Sequence, residues 1–121
     1  MRILFFRVAL LSLAALPLSA CGGAAGSCLF TQTAASGYDF CEDFLGSEFN
    51  ASAAQNACAG GDGAWSSDPC TTAGALGACA IGSGAADDFR YTYYAAPGGS
   101  PPSAATLESA CGVAGGTFTA G

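Results

Sequence analysis

The sequence predicts a small disulfide-rich α+β domain. It reads as two β-β-α-β pseudo-repeats, residues 28–70 and 79–121, forming an antiparallel sheet with two short helices on one face. Three observations lead there. Six cysteines follow residue 21, an even set of the kind that staples small, loop-rich domains. The two halves can be laid over one another. Aromatic and polar residues alternate in Phe89-Arg90-Tyr91-Thr92-Tyr93, the pattern of a half-buried strand.

The overlay starts with Cys28 on Cys79. Ala34-Ala35 then meets Ala85-Ala86, Tyr38 meets Phe89 and Phe40 meets Tyr91. With two extra residues allowed around Pro101-Pro102, Ala57-Cys58 falls on Ala110-Cys111, and Gly63-Ala64-Trp65 falls on Gly116-Thr117-Phe118. The second half holds only two cysteines, so Cys79 is expected to pair with Cys111. By symmetry Cys28 pairs with Cys58, which leaves Cys41 for Cys70. Each bridge closes about 30 residues and contributes roughly 3–4 kcal/mol in the chain-entropy account. Large aliphatic residues are few after residue 20, so a sparse interior depends on such staples.

The elements follow in order. Gly22 to Ser27 is a Gly/Ala/Ser tether, spanning on the order of 13 Å as a flexible coil. Leu29 to Thr33 and Tyr38 to Phe44 flank a turn and read as a hairpin. Ser52-Ala53-Ala54-Gln55 fits a capping box that starts a helix through Cys58, stopped by Gly60-Gly61. A strand near Trp65 and an irregular stretch to Gly77 complete the first unit. In the second, Ala78 to Ile81 and Phe89 to Tyr94 form a hairpin and Pro97 to Pro102 a loop. A helix runs from Ala104 to Cys111, and a last strand holds Phe118.

Composition limits the chemistry. There is no histidine and no lysine, which removes Ser-His-Asp, Cys-His and Ser-Lys machinery and histidine metal sites from this chain. Beyond residue 20, Arg90 faces nine acids, a side-chain balance of 1 − 9 = −8. Such a surface repels phosphates, so nucleic acid is not an expected partner. The absence of Cys-x-x-Cys argues against zinc or thioredoxin-like chemistry. No cofactor or metal is expected. Around Cys41, Asp39, Glu42 and Asp43 read as an acidic edge; the sharper alternatives are a carboxylate hydrolase or calcium ligands. Asp39 and Asp43 share a strand face and Glu42 takes the other. Asp87 and Asp88 are the expected surface partners of Arg90. Trp65 and Tyr91 are expected in the core. Tyr93 and Tyr94 are the candidate binding surface, tyrosine being common at interfaces.

The start of the chain carries a different signal. Arg2 and Arg7 precede an apolar run from Val8 to Leu16, broken by Pro17. This is the layout of an export signal over residues 1–20, too short to span a bilayer. Leu18-Ser19-Ala20-Cys21 resembles the lipobox of bacterial lipoproteins at all four positions. The resemblance implies cleavage between Ala20 and Cys21 and a diacylglyceryl group on the Cys21 thiol, with residues 21–27 linking lipid to domain. Gly22, where an aspartate would favour inner-membrane retention, favours the outer membrane within the cell envelope. The spacing of cysteines, glycines and aromatics from Cys28 to Phe118 resembles a group of small cysteine-rich bacterial lipoproteins that brings no activity with it. The expected function is therefore a non-enzymatic binding or structural module. It is lipid-anchored at the membrane, with a protein or glycan partner. A protease or hydrolase inhibitor displaying the Pro97–Pro102 loop is the alternative.

Overall fold

A computed structural model describes residues 25–31, 37–46, 49–82 and 88–121. The export segment, Cys21 and residues 22–24 of the expected tether lie outside the described residues, as does Asp87. The elements run β1 (Ser27–Phe30), β2 (Tyr38–Phe44), α1 (Ala51–Gly60), β3 (Ala64–Ser66), β4 (Ala75–Ile81), β5 (Phe89–Ala95), α2 (Ala104–Val113) and β6 (Thr117–Ala120). The strands form one six-stranded sheet in the order β3-β1-β2-β5-β4-β6, every neighbouring pair antiparallel.

Directly opposed residues share a sheet face. One transverse row therefore crosses all six strands: Trp65, Cys28, Glu42, Tyr91, Cys79 and Phe118. Cys28 is bonded to Cys58 in α1 and Cys79 to Cys111 in α2. Both helices thus lie on the face that carries this row. The third bridge, Cys41–Cys70, is on the other face, where it holds the segment after β3. These are the three pairs expected from the sequence.

Sulfur forms much of the interior. Of ten buried hydrophobic residues among those described, six are the bridged cysteines, and only Phe44 and Leu107 are large. Each helix buries just two residues one turn apart, Ala54 with Cys58 in α1 and Leu107 with Cys111 in α2. Ten-residue helices are marginal alone. A stripe this narrow adds little, so the covalent link to the sheet holds each helix in place. Phe44 anchors the remaining packing, with Phe49, Phe89 and Trp65 at centroid distances of 5.2, 5.9 and 6.1 Å.

Several local expectations are corrected. Residues ahead of Cys28 take part in the fold: the Ala25 N–H donates to the Phe44 carbonyl at 2.9 Å, and Ser27 is buried in β1. The end of β2 needs hydrogen-bond partners, and this stretch supplies them despite its coil-like composition. β1 ends at Phe30, and β4 begins at Ala75, earlier than Ala78. The cap of α1 is Asn50, whose Oδ1 accepts from the Ala53 N–H at 2.8 Å, two residues ahead of the expected Ser52. Asn caps as well as Ser does. Ser103 caps α2 through the Thr106 N–H, and that helix continues past Gly112 to Val113. The overlay of the two hairpins also shifts by two residues. Phe30 opposes Phe40, ten positions on, whereas Ile81 opposes Phe89, eight positions on. Laid over one another by this register, the hairpins would put Phe40 on Phe89 and Glu42 on Tyr91. With a side-chain period of two, the faces are unchanged.

Gly63 and Gly116 are needed for close approach to the bridges. A Cβ on Gly63 would sit 2.1 Å from the Cys28 sulfur, and one on Gly116 would sit 2.4 Å from that of Cys79. Gly63→Ala and Gly116→Ala are each expected to destabilise the oxidised protein by about 1–3 kcal/mol through overpacking. Urea melts check this, and melts unchanged within about 0.5 kcal/mol would contradict it.

Candidate functional site

The two helices are fastened over β1 and β4, towards opposite sides of the sheet. The central strands β2 and β5 lie between them, and here a groove of about 310 Å³ opens. Phe30, Tyr38, Phe40, Tyr91 and Tyr93 line it, with Ala114 at the end of α2 on one wall. Glu42 is on its floor. The register explains the gathering. In β2, Tyr38, Phe40 and Glu42 are spaced by two, as are Tyr91 and Tyr93 in β5, and Glu42 directly opposes Tyr91. The rings brace one another: Tyr38 meets Tyr93 edge-on at 5.7 Å, Phe40 meets Tyr91 edge-on at 5.8 Å, and Phe30 stacks on Phe40 at 4.9 Å.

Glu42 is half-buried, and among the described residues its one hydrogen bond is a long one from the Tyr91 hydroxyl, 3.5 Å to Oε1. Burial raises its pKa above the ordinary glutamate value, with the Tyr91 contact opposing in part. The Tyr91 phenol is pushed up to about 12, chiefly by burial and then by the negative charge of Glu42. Burial, followed by the neighbouring Tyr38, also raises Tyr93. The groove thus holds a partly dehydrated carboxylate with aromatic surface around it.

The adjacent residue has the opposite fate. Asp43 is fully buried on the other face, where Arg90 opposes it across β2 and β5. The guanidinium donates from Nη2 at 2.7 Å and from Nε at 3.1 Å to Oδ2, and the Cys70 N–H donates to Oδ1 at 2.8 Å. Among the described residues the ion-pair partner of Arg90 is Asp43 rather than Asp88; Asp87, the other expected partner, lies outside them. A lone arginine among nine acids does not name its partner; the strand register does. This pair also ties the Cys41–Cys70 segment to the sheet.

The expected acidic edge is divided by the sheet. Glu42 faces the groove, while Asp39 lines a hollow of about 400 Å³ on the other face beside Leu29, Cys41 and Tyr94. Glu42 and Asp43 cannot act as a pair on one substrate. In the opposite hollow the polar groups hold the chain itself. The Ser27 hydroxyl donates to the Asp68 carbonyl at 2.7 Å, and the Tyr94 hydroxyl donates to the Thr71 carbonyl. Tyr93 and Tyr94 do not share a surface, because neighbouring strand residues point to opposite faces. Tyr93 belongs to the groove. Tyr91, expected in the core, is half-buried on the groove floor, and Trp65 packs beside Phe44.

The chain is tied down just ahead of the Pro97–Pro102 loop, while Pro97, Gly98, Ser100 and Pro101 are exposed. Ala96 donates its N–H to the Gly37 carbonyl at 3.1 Å, Gly99 donates to the Ala96 carbonyl at 3.1 Å, and Pro102 is half-buried. Among the described residues, no three His, Cys, Asp or Glu side chains lie together as metal ligands. No helix there is long and apolar enough to cross a membrane. Compared with known proteins, the chain matches no family model, no curated protein and no solved structure.

Two outcomes follow from the contrasting acids. Because the folded-state pKa of Glu42 is raised, the unfolded chain releases this proton first as pH rises past the ordinary glutamate value, and stability falls until the folded carboxyl ionises too. Glu42→Gln is therefore expected to raise the Tm at pH 7 by about 1–4 °C and to leave it unchanged at pH 3. A thermal melt at each pH checks this; an equal shift at both would refute it. Arg90→Met strips the buried Asp43 of its cation and is expected to cost about 3 kcal/mol at pH 7, measured by urea unfolding.

Proposed function

We propose that this chain is a lipid-anchored cell-envelope protein and acts as a non-enzymatic binding module whose working surface is the groove over β2 and β5. The observation carrying this reading is where the large side chains sit. In a domain whose interior is largely sulfur and alanine, five aromatic residues line an open groove and remain partly exposed. A chain selected for stability alone would cover them. The lipobox-like Leu18-Ser19-Ala20-Cys21 supports anchoring through Cys21. The strong negative charge makes the lipid, not electrostatic attraction, the means of membrane attachment. The division of the acids between two faces favours binding over carboxylate hydrolysis. The groove is preferred to the inhibitor reading because it gathers five aromatic residues and a carboxylate, whereas the exposed part of the Pro97–Pro102 loop offers only Pro, Gly and Ser.

The module is best understood as a duplicated β-β-α-β unit. Cys28–Cys58 beside Gly63 and Trp65 is matched by Cys79–Cys111 beside Gly116 and Phe118. The turn closing each helix repeats as well: Gly63 N–H to Cys58 carbonyl and Gly116 N–H to Cys111 carbonyl, both 2.9 Å. On this reading the local twofold passes between Glu42 and Tyr91, so the groove lies on the seam, with an acid from one unit and a hydroxyl from the other.

Two measurements test the proposal. Wild-type protein is expected to incorporate radiolabelled fatty acid and to fractionate with membranes, and Cys21→Ser is expected to lose both properties. A Cys21→Ser protein that still labels would refute the anchor. Tyr93→Ser, in the groove, is expected to cost less than about 1 kcal/mol, against about 3–5 kcal/mol for Phe44→Ala in the core. Equal costs in urea melts would make the groove residues structural.

A further inference from the structure

We propose that the groove binds a small quaternary ammonium compound from free solution, seating the cation over Glu42 between the rings of Phe40, Tyr91 and Tyr93. This rests on the reading of the groove as the working surface and names the chemistry of its ligand. The first argument is charge. Glu42 is partly dehydrated on the groove floor with only a long contact from the Tyr91 hydroxyl. Arg90, the sole basic side chain after residue 7, is bonded to Asp43 on the other face. A groove carrying one carboxylate, with no cation among the described residues that line it, is complemented by a positively charged guest.

The second argument is the wall. The faces of Phe, Tyr and Trp attract cations, and closely placed rings form the usual enclosure for quaternary ammonium groups. Here the rings are already held by contacts with one another, so little ordering is needed on binding. The third argument separates the kinds of cation. A primary ammonium has three N–H donors that lose water and need acceptors on burial. Five of the seven residues lining the groove present aromatic rings, whose faces offer an N–H no oxygen acceptor. A quaternary ammonium has no N–H to satisfy and needs only a counter-charge and polarisable walls. A choline phospholipid is the poorer source of this group, because its phosphate meets a chain of net charge −6.

The test uses the full-length protein with its disulfides intact, followed by the NMR signals of the Tyr91 and Tyr93 rings. Choline chloride, titrated against sodium chloride of equal ionic strength, is expected to shift these signals with a Kd on the order of 1 mM. Its neutral carbon isostere 3,3-dimethyl-1-butanol and ethylammonium are each expected to bind about tenfold more weakly. Glu42→Gln should weaken choline about tenfold and Tyr93→Leu about fivefold, in protein whose melting confirms folding. Equal binding of choline and its isostere would overturn the cation while leaving an apolar binding groove. Tighter binding of ethylammonium, or of phosphatidylcholine vesicles, would overturn the choice of ligand. No choline-specific shift at 20 mM would overturn the inference outright. The stability comparison of Tyr93→Ser with Phe44→Ala judges the groove reading separately.

Discussion

Two disulfides, one between β1 and α1 and one between β4 and α2, hold the helix-bearing face together. In a domain of this size a helix is normally fixed by a wide apolar stripe that packs over several strands. Here each stripe is two residues wide, and one of the two is the cysteine. The bond therefore determines where each helix lies. Cys28 and Cys79 are four strands apart when both are counted, with β2 and β5 between them, so the helices stand apart and leave the centre of the sheet uncovered. The groove is a direct result of this spacing. Gly63 and Gly116 serve the same design, since each leaves room for sulfur beneath the turn that follows its helix.

The other face is organised by charge and one further bridge. Asp43 is a buried ion whose oxygens receive Arg90 and the Cys70 N–H, so its dehydration is compensated and it fixes the segment joining β3 to β4. Glu42, its neighbour in sequence, has a single long contact. A strand puts consecutive residues on opposite faces, and that alone gives two adjacent carboxyls different electrostatic fates. One is structural. The other is left incompletely compensated at the centre of the molecule.

Much of this architecture was legible in the sequence. The cysteine pairing followed from two halves of similar spacing, because only one closure suits a half with two cysteines. The alternation in Phe89 to Tyr93 identified β5 and placed Tyr91 and Tyr93 on one face. Alternation does not say whether a face is covered. Tyr91 was expected in the core because the lateral position of the helices depends on bond geometry that spacing does not carry. Tyr93 and Tyr94 are both binding candidates by residue type, and their adjacency in a strand puts them on opposite faces. The partner of Arg90 and the two-residue shift between hairpins are both matters of register, set by backbone pairing and loop length. Asn50 and Ser52 are comparable caps, and the distinction between them lies in the path of the preceding chain.

The same economy links stability to the proposed binding role. Cross-links closing 29 to 32 residues act mainly by restricting the unfolded chain, a contribution independent of which side chains line the groove. A domain stabilised through an apolar interior must bury its aromatic residues. One stabilised through sulfur can leave them open and can tolerate a poorly hydrated carboxylate among them. That carboxylate is the locally unfavourable choice in an otherwise consistent fold, and such departures collect where a protein meets its ligand. Across the centre of the sheet Glu42 and Tyr91 are direct partners, and on the proposed duplicated reading they are equivalent positions with different chemistry, acceptor facing donor. A strictly symmetric sheet would present two acids or two phenols there. On the proposed reading, a guest in the groove would meet an acceptor from β2 and a donor from β5.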